Sequence, residues 1–255
     1  MSSNIWTPAA LSSNARRLAG ICWRFVEAQH NVSTAKLTDS AADQVLLERL
    51  IETTKPRVPA ECEHLNYLLS TPFRYGAPYP RGSRFRKAGI TEGVFYAAEA
   101  ADTAAAEITF HRLLFFAESP ATPWPGNPGE FTAFAAEFAS GRSIDLTRKP
   151  LAADQALWMH PTDYGASQAL AEAARSAAID IIRYDSVRDP QHRAGIALLT
   201  CHVFTKSEVV SRQTWRIHLD SAGARAMCEA PKHTLAFGRN AFAADPRIAG
   251  MTWSR

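Results

Sequence analysis

GVFYAAEAADTAAAEITFHRLLFFAES, residues 93–119, changes its hydrophobic period partway along, and that change decides the fold. Residues 93–98 are a short apolar run with β-branched and aromatic members, the pattern of a buried strand. Residues 103–119 read as a helix, on which Glu107 has Ala104, Ile108, Phe110, His111 and Leu114 as neighbours. Short strand-like runs recur at 179–184 (IDIIRY), 195–204 (GIALLTCHVF) and 214–219 (TWRIHL), with a second helical segment at 163–178. Strands and helices do not alternate regularly, which predicts an α+β fold with antiparallel sheets over a doubly wound one. FTAFAAEF, 131–138, spaces its phenylalanines like a helix yet runs into GRSIDL, which reads as a strand. TPWPGNPGE, 122–130, is a proline- and glycine-rich loop, a lid or a linker.

Upstream, residues 8–70 read as helical. SAADQVLLERLIETTKP, 40–56, offers Ser40 as N-cap with Asp43 three residues on, an apolar face of Leu46, Leu47, Leu50 and Ile51, and Pro56 as a stop. The expected organisation is an N-terminal helical extension, 1–70, before a main domain, 71–255.

Bulk properties narrow the function. A chain of 255 residues that is 46% apolar can bury a large core. A formal charge of +3, from 28 Lys and Arg against 25 Asp and Glu, is too balanced for a protein that coats nucleic acid or an anionic membrane. Cys22, Cys62, Cys201 and Cys228 show no C-x-x-C pair or regular spacing, so buried, reduced thiols are expected. Arg16 and Arg17 interrupt any signal-peptide core and no later stretch approaches a membrane span, which implies a soluble cytoplasmic protein.

The Walker, dinucleotide-fold, zincin and nucleophile-elbow motifs are absent. Glu107 and His111 are one helical turn apart, but a lone pair does not make a metal centre, and no metal is assigned.

PYPRGSRFRKAG, 78–89, gathers Arg81, Arg84, Arg86 and Lys87 beside Tyr79 and Phe85 in a segment that glycine and proline keep from being helical. Tyr96 follows Arg84 by twelve positions and Glu107 follows Tyr96 by eleven. Each has an ordinary explanation alone: a solvated arginine, a rim aromatic, a boundary acid paired to Arg112 or His111. Together they outline a site.

GSRFR (82–86), GVFYAA (93–98), TAAAE (103–107) and YDSVR (184–188), in that order, resemble the RES-domain family, toxins of bacterial toxin–antitoxin pairs. The resemblance spans roughly 72–205. It implies an ADP-ribosyltransferase-like core of two small antiparallel or mixed sheets with flanking helices around an NAD cleft. Arg84, Tyr96, Glu107 and Ser186 take the family's functional positions, with Arg84, Tyr96, Ser186 and Arg188 contacting the dinucleotide. It also implies a cognate Xre-like antitoxin with a helix-turn-helix part, no permanently bound cofactor, and NAD+ as substrate. Two departures stand out: the chain reads DPQHRAG, 189–195, where many members carry an asparagine, and residues before 70 lie outside the short family core.

Such chemistry needs these residue types. The nicotinamide nitrogen of NAD+ is already cationic and leaves as a neutral base, so the barrier is the positive charge developing on the ribose. Glu107 would face that charge and grip ribose hydroxyls. Arg84 would fork onto the diphosphate, Tyr96 would stack on or pin nicotinamide and ribose, and Ser186 would bond the ribose or the amide. The expected reaction is NAD+ degradation with water or phosphate as acceptor, modification of a protein target being the alternative. Two other classes compete: a nucleic-acid module stacking bases on Tyr79 and Phe85, and a non-catalytic scaffold.

Overall fold

A computed structural model describes residues 6–28, 37–76 and 78–255. In chain order the elements are α1 (Pro8–Ser13), β1 (Arg16–Glu27), α2 (Ala41–Thr54), α3 (Tyr67–Ser70), β2 (Phe95–Ala98), α4 (Ala101–Glu118) and β3 (Gly129–Asp145). Then follow α5 (Gln155–Trp158), α6 (Gly165–Ser176), β4 (Ile181–Asp185), β5 (Ala194–Leu198), β6 (Ser211–Asp220), β7 (Gly223–Cys228), β8 (His233–Gly238) and α7 (Pro246–Ala249). The period change in 93–119 thus marks a real boundary between β2 and α4.

Hydrogen bonds join the strands in the order β1-β2-β5-β4-β3-β6-β7-β8, with β1 also paired to β3. The 17-residue β3 is the hinge of this arrangement. Its first half pairs antiparallel with β6, its last residues pair parallel with β4, and β1 runs antiparallel along its other edge from Glu27↔Phe131 to Arg16↔Ser143. The two sheets expected from sequence therefore share β3 and form one ladder. α4 lays Ala105, Ala106, Phe110 and Leu113 against Trp215, Ile217 and Phe131 on one sheet face. α6 lays Leu170, Ala171 and Ala174 against Ile144, Ile182 and Ala197 on another. Runs of alanine let both helices approach closely. No described helix is long and apolar enough to cross a membrane.

FTAFAAEF is strand throughout. Phe131 packs into the α4 core, whereas Phe134 and Phe138 point to the opposite face and pack with Phe95, Ile181 and Leu198. A strand buried on both faces need not alternate polar and apolar residues, so its spacing can imitate a helix.

The helical reading of 8–70 needs correction. Residues 16–27 are β1, an integral strand of the main sheet rather than part of an extension. Its buried residues are few, Cys22 and Phe25, with Arg24 between them and Arg16 and Arg17 at the start of the strand, so alternation is weak. α2 does form as expected: the Ser40 hydroxyl accepts from the Asp43 amide at 3.1 Å and donates to its carboxylate at 2.7 Å. None of its side chains is buried, and Leu46 and Leu50 stay more than half exposed.

The expectation of reduced thiols is corrected for one pair. Cys62 and Cys201 form a disulfide, tying a 3-10 turn at Ala60–Cys62 to another at Cys201–Val203. They lie 139 residues apart, so only the fold brings them together. Cys22 and Cys228 are buried free thiols.

Candidate functional site

The 78–89 segment is a closed loop. Tyr79 and Gly89 exchange backbone hydrogen bonds at 2.8 and 2.9 Å, and the Ser83 amide donates to the Arg86 carbonyl at 2.7 Å. Gly82 sits at φ +66°, where a Cβ would meet the Arg86 carbonyl and the Ala88 amide at 3.0 Å, so the turn requires glycine. Tyr96 holds the turn from β2: its hydroxyl accepts from the Phe85 amide at 2.9 Å and shares a hydrogen bond with Ser83 Oγ at 2.8 Å. Burial pushes that phenol up to about 12, so it stays neutral.

Only one of the loop's four cations turns inward. Arg86 bonds Thr91 and covers the Tyr79 ring at 4.2 Å, Lys87 pairs with Glu172 at 2.6 Å, and Arg81 is outside, 3.8 Å from Glu118. Arg84 is 8% exposed; its guanidinium donates to the carbonyls of Trp158 and, at 3.1 Å, His160, and lies 4.9 Å from the Tyr164 ring centre. Phe85 is 1% exposed, packed between Tyr96 and Tyr184, and is not available to stack a base. The nucleic-acid reading loses Arg84 and one of its two rings to the interior.

Glu107 projects from α4 toward the turn that follows β4. Ser186, fully buried, donates its hydroxyl hydrogen to Glu107 Oε1 and accepts from the amides of Arg188 at 3.2 Å and Asp189 at 3.1 Å. Those two amides fix the oxygen, so its proton is aimed at the carboxylate. The turn is tied to α4 by Asp189, which accepts from Thr103 Oγ1 at 2.8 Å and from Arg193 Nε at 2.6 Å. Asp189 thus supplies, within DPQHRAG, polar contacts of its own. Arg188 is buried, its guanidinium 4.0 Å from the Phe110 ring centre and donating to Tyr164 Oη at 2.9 Å, the Pro161 carbonyl at 2.6 Å and Asp245 at 3.0 Å.

These groups share one electrostatic environment. Burial raises the Glu107 pKa, opposed in turn by the Ser186 hydrogen bond and by the charges of Arg188 and Arg84. Burial lowers the Arg84 pKa, while Tyr184, Tyr164 and Glu107 oppose that loss. His111, one turn along α4, is pushed down to about 4 by burial and by Arg188 and Arg247, so it is neutral. Among the described residues, no group of three or more His, Cys, Asp and Glu side chains is placed to hold a metal ion.

The structure therefore brings Arg84, Glu107, Ser186 and Arg188 together. Tyr96 is adjacent but differently employed: its hydroxyl is committed to the turn that carries Arg84. Tyr96→Phe is expected to strand the Phe85 amide and lower stability by about 1–3 kcal/mol, measured by urea unfolding. Unchanged stability would show that the hydroxyl is free for another partner. Sequence reasoning missed Tyr164, Tyr184 and Asp245, ordinary residues singly, and the carbonyls at 158 and 160, which have no sequence signal.

Two cavities lie elsewhere. One of about 260 Å³ is lined by the Cys62–Cys201 pair, Tyr75, Glu92 and Arg175, and one of about 650 Å³ by Trp124, Arg239, Trp253 and Arg255. Arg84 and Arg188 are both hydrogen-bonded to the 158–164 segment, Arg84 to the carbonyls of Trp158 and His160 and Arg188 to the Pro161 carbonyl and the Tyr164 hydroxyl.

Comparison with known proteins gives a family and likenesses to solved structures. The model of the RES domain matches residues 57–220. The crystal structure of the M. tuberculosis MbcT–MbcA toxin–antitoxin complex contains a chain that aligns with a TM-score of 0.48 at 11% identity, over 83% of this chain and 91% of that one. No curated protein matches significantly.

Proposed function

Since the chain belongs to the RES-domain family, we propose that it is an NAD+-consuming toxin that breaks the bond between nicotinamide and ribose. The observation that carries this reading is the partly buried Glu107 carboxylate, which accepts a hydrogen bond from the buried Ser186 hydroxyl and feels the charges of two guanidinium groups. As the C–N bond breaks, its electron pair goes to the pyridine nitrogen, which leaves neutral. The ribose carbon becomes positive, and an ionised Glu107 in a poorly hydrated setting stabilises it more strongly than water would. Water then yields ADP-ribose and a proton; phosphate yields the phosphorylated ADP-ribose.

Arg84 and Arg188 supply charge for the diphosphate, and Ser186 bonds either the ribose or, as here, the carboxylate that serves it. Arg84 and Arg188 are 8% and 5% exposed, so the 158–164 segment must shift to admit a dinucleotide. NAD+ is the substrate, with no permanently bound cofactor. The partner implied by family membership is a helix-turn-helix antitoxin of the Xre-like kind that holds the toxin inactive, and the cytoplasm is where that pair and NAD+ meet.

The acceptor is tested by incubating purified protein with NAD+, with and without phosphate, and separating products. ADP-ribose or its phosphorylated form supports degradation; radiolabel on a protein supports transfer to a target; intact NAD+ throughout overturns both.

The pH profile gives a further expectation. Glu107 must be ionised to act and its pKa is raised, so kcat/KM should fall on acidification with a midpoint above the ordinary glutamate value of about 4.3. A limb at or below that value would mean that another group titrates.

A further inference from the structure

The family match ends at residue 220, yet a residue beyond it reaches the centre of the site. Asp245 is 1% exposed and accepts from Arg188 Nη1 at 3.0 Å. It also accepts from Arg247 Nε at 2.9 Å, Nη2 at 2.8 Å and the Arg247 amide at 3.0 Å, the last bond capping α7.

Arg188 needs such a partner. Arg84 and Arg188 are like charges buried close enough to act on each other, and the Glu107 carboxylate acts on both. The Arg188 guanidinium is gripped from its far side by Asp245, and from the 158–164 side by the Pro161 carbonyl and the Tyr164 hydroxyl, with Phe110 beneath it. Of these, Asp245 alone supplies negative charge. Although burial pushes its pKa up, the Arg247 hydrogen bonds and the charges of Arg188 and Arg247 hold it below the usual aspartate range, so it stays ionised.

We infer that Asp245 is a positioning residue for the reaction proposed above, on which this inference rests: it fixes Arg188 beside Glu107, where its charge meets the dinucleotide phosphates. Asp245 touches no reacting atom. Its influence passes through Arg188 and, at a pH where Glu107 is ionised, should appear in substrate binding, with the acidic limb of the pH profile moving to higher pH as the Arg188 charge withdraws from Glu107. Part of the binding surface then comes from the C-terminal segment, outside the family-matched span.

The test compares Asp245→Asn and Asp245→Ser, each alone and combined with Arg188→Ala, by nicotinamide release from NAD+ in the full chain. Serine keeps an N-cap oxygen for α7 but lacks the charge and reach to hold Arg188, so it separates capping from positioning. Urea unfolding confirms that each variant is folded. Either single variant is expected to raise KM about tenfold with kcat nearly unchanged, and to have no further effect once Arg188 is alanine. An active wild type whose KM is unmoved by Asp245→Ser, or additive effects in the double variants, overturns the assignment alone. A wild type that releases no nicotinamide overturns the reaction and the assignment together.

Discussion

Glu107→Gln is expected to lower nicotinamide release by a factor of about 10²–10³ or more, the scale set by removing one pre-organised electrostatic group from a catalytic site. Glutamine has nearly the same shape and its side-chain carbonyl still accepts from Ser186, so what is lost is charge. That charge is costly to bury. A carboxyl whose pKa is raised in the folded protein favours folding below its unfolded pKa and loses that contribution as pH rises through the folded value. At neutral pH the glutamine variant should therefore be no less stable than the parent. Loss of activity with retained thermal stability identifies Glu107 as functional rather than structural. Full activity in the variant would remove it from the mechanism.

Arg84→Met should have the second largest effect, about 10²-fold in kcat/KM, because it acts on binding and on Glu107 together. Removing the guanidinium takes away diphosphate recognition and one of the charges that oppose the rise of the Glu107 pKa. The acidic limb of the pH profile should move to higher pH. Arg84→Lys separates the two effects: the ammonium keeps the charge, so the limb should stay near its wild-type position. It cannot serve two separate carbonyls and a phosphate with a planar fork, so KM should still rise. A limb unmoved in Arg84→Met would mean that Arg84 does not govern Glu107.

The centre of this arrangement was legible in the sequence for a physical reason. β2 and α4 are consecutive, so a strand pattern followed by a helix pattern places Tyr96 and Glu107 on adjoining elements, and glycine at 82 marks the turn that carries Arg84. What was not legible depends on distant segments. The carbonyls of Trp158 and His160 have no residue-type signal. Tyr164 and Asp245 meet Arg188 from 24 and 57 positions away in the chain, and Cys62 finds Cys201 across 139. β1 was misread because its arginines hide a strand whose main partner lies more than a hundred residues on, and β3 because burial on both faces erases alternation. The bonds from Tyr96 to Ser83 and Phe85 were not legible for a related reason: a hydroxyl at the rim of a strand looks free until the turn that covers it is folded.

The central claim is that an ionised Glu107 and the guanidinium of Arg84 serve one reaction at the nicotinamide–ribose bond. It is tested most directly by measuring free nicotinamide after mixing NAD+ with the wild-type protein or with Glu107→Gln, both shown to be folded. The account predicts continuous release by the wild type, with the variant falling to a small residue of that rate. Intact NAD+ with the wild type, or equal release by both proteins, would contradict it.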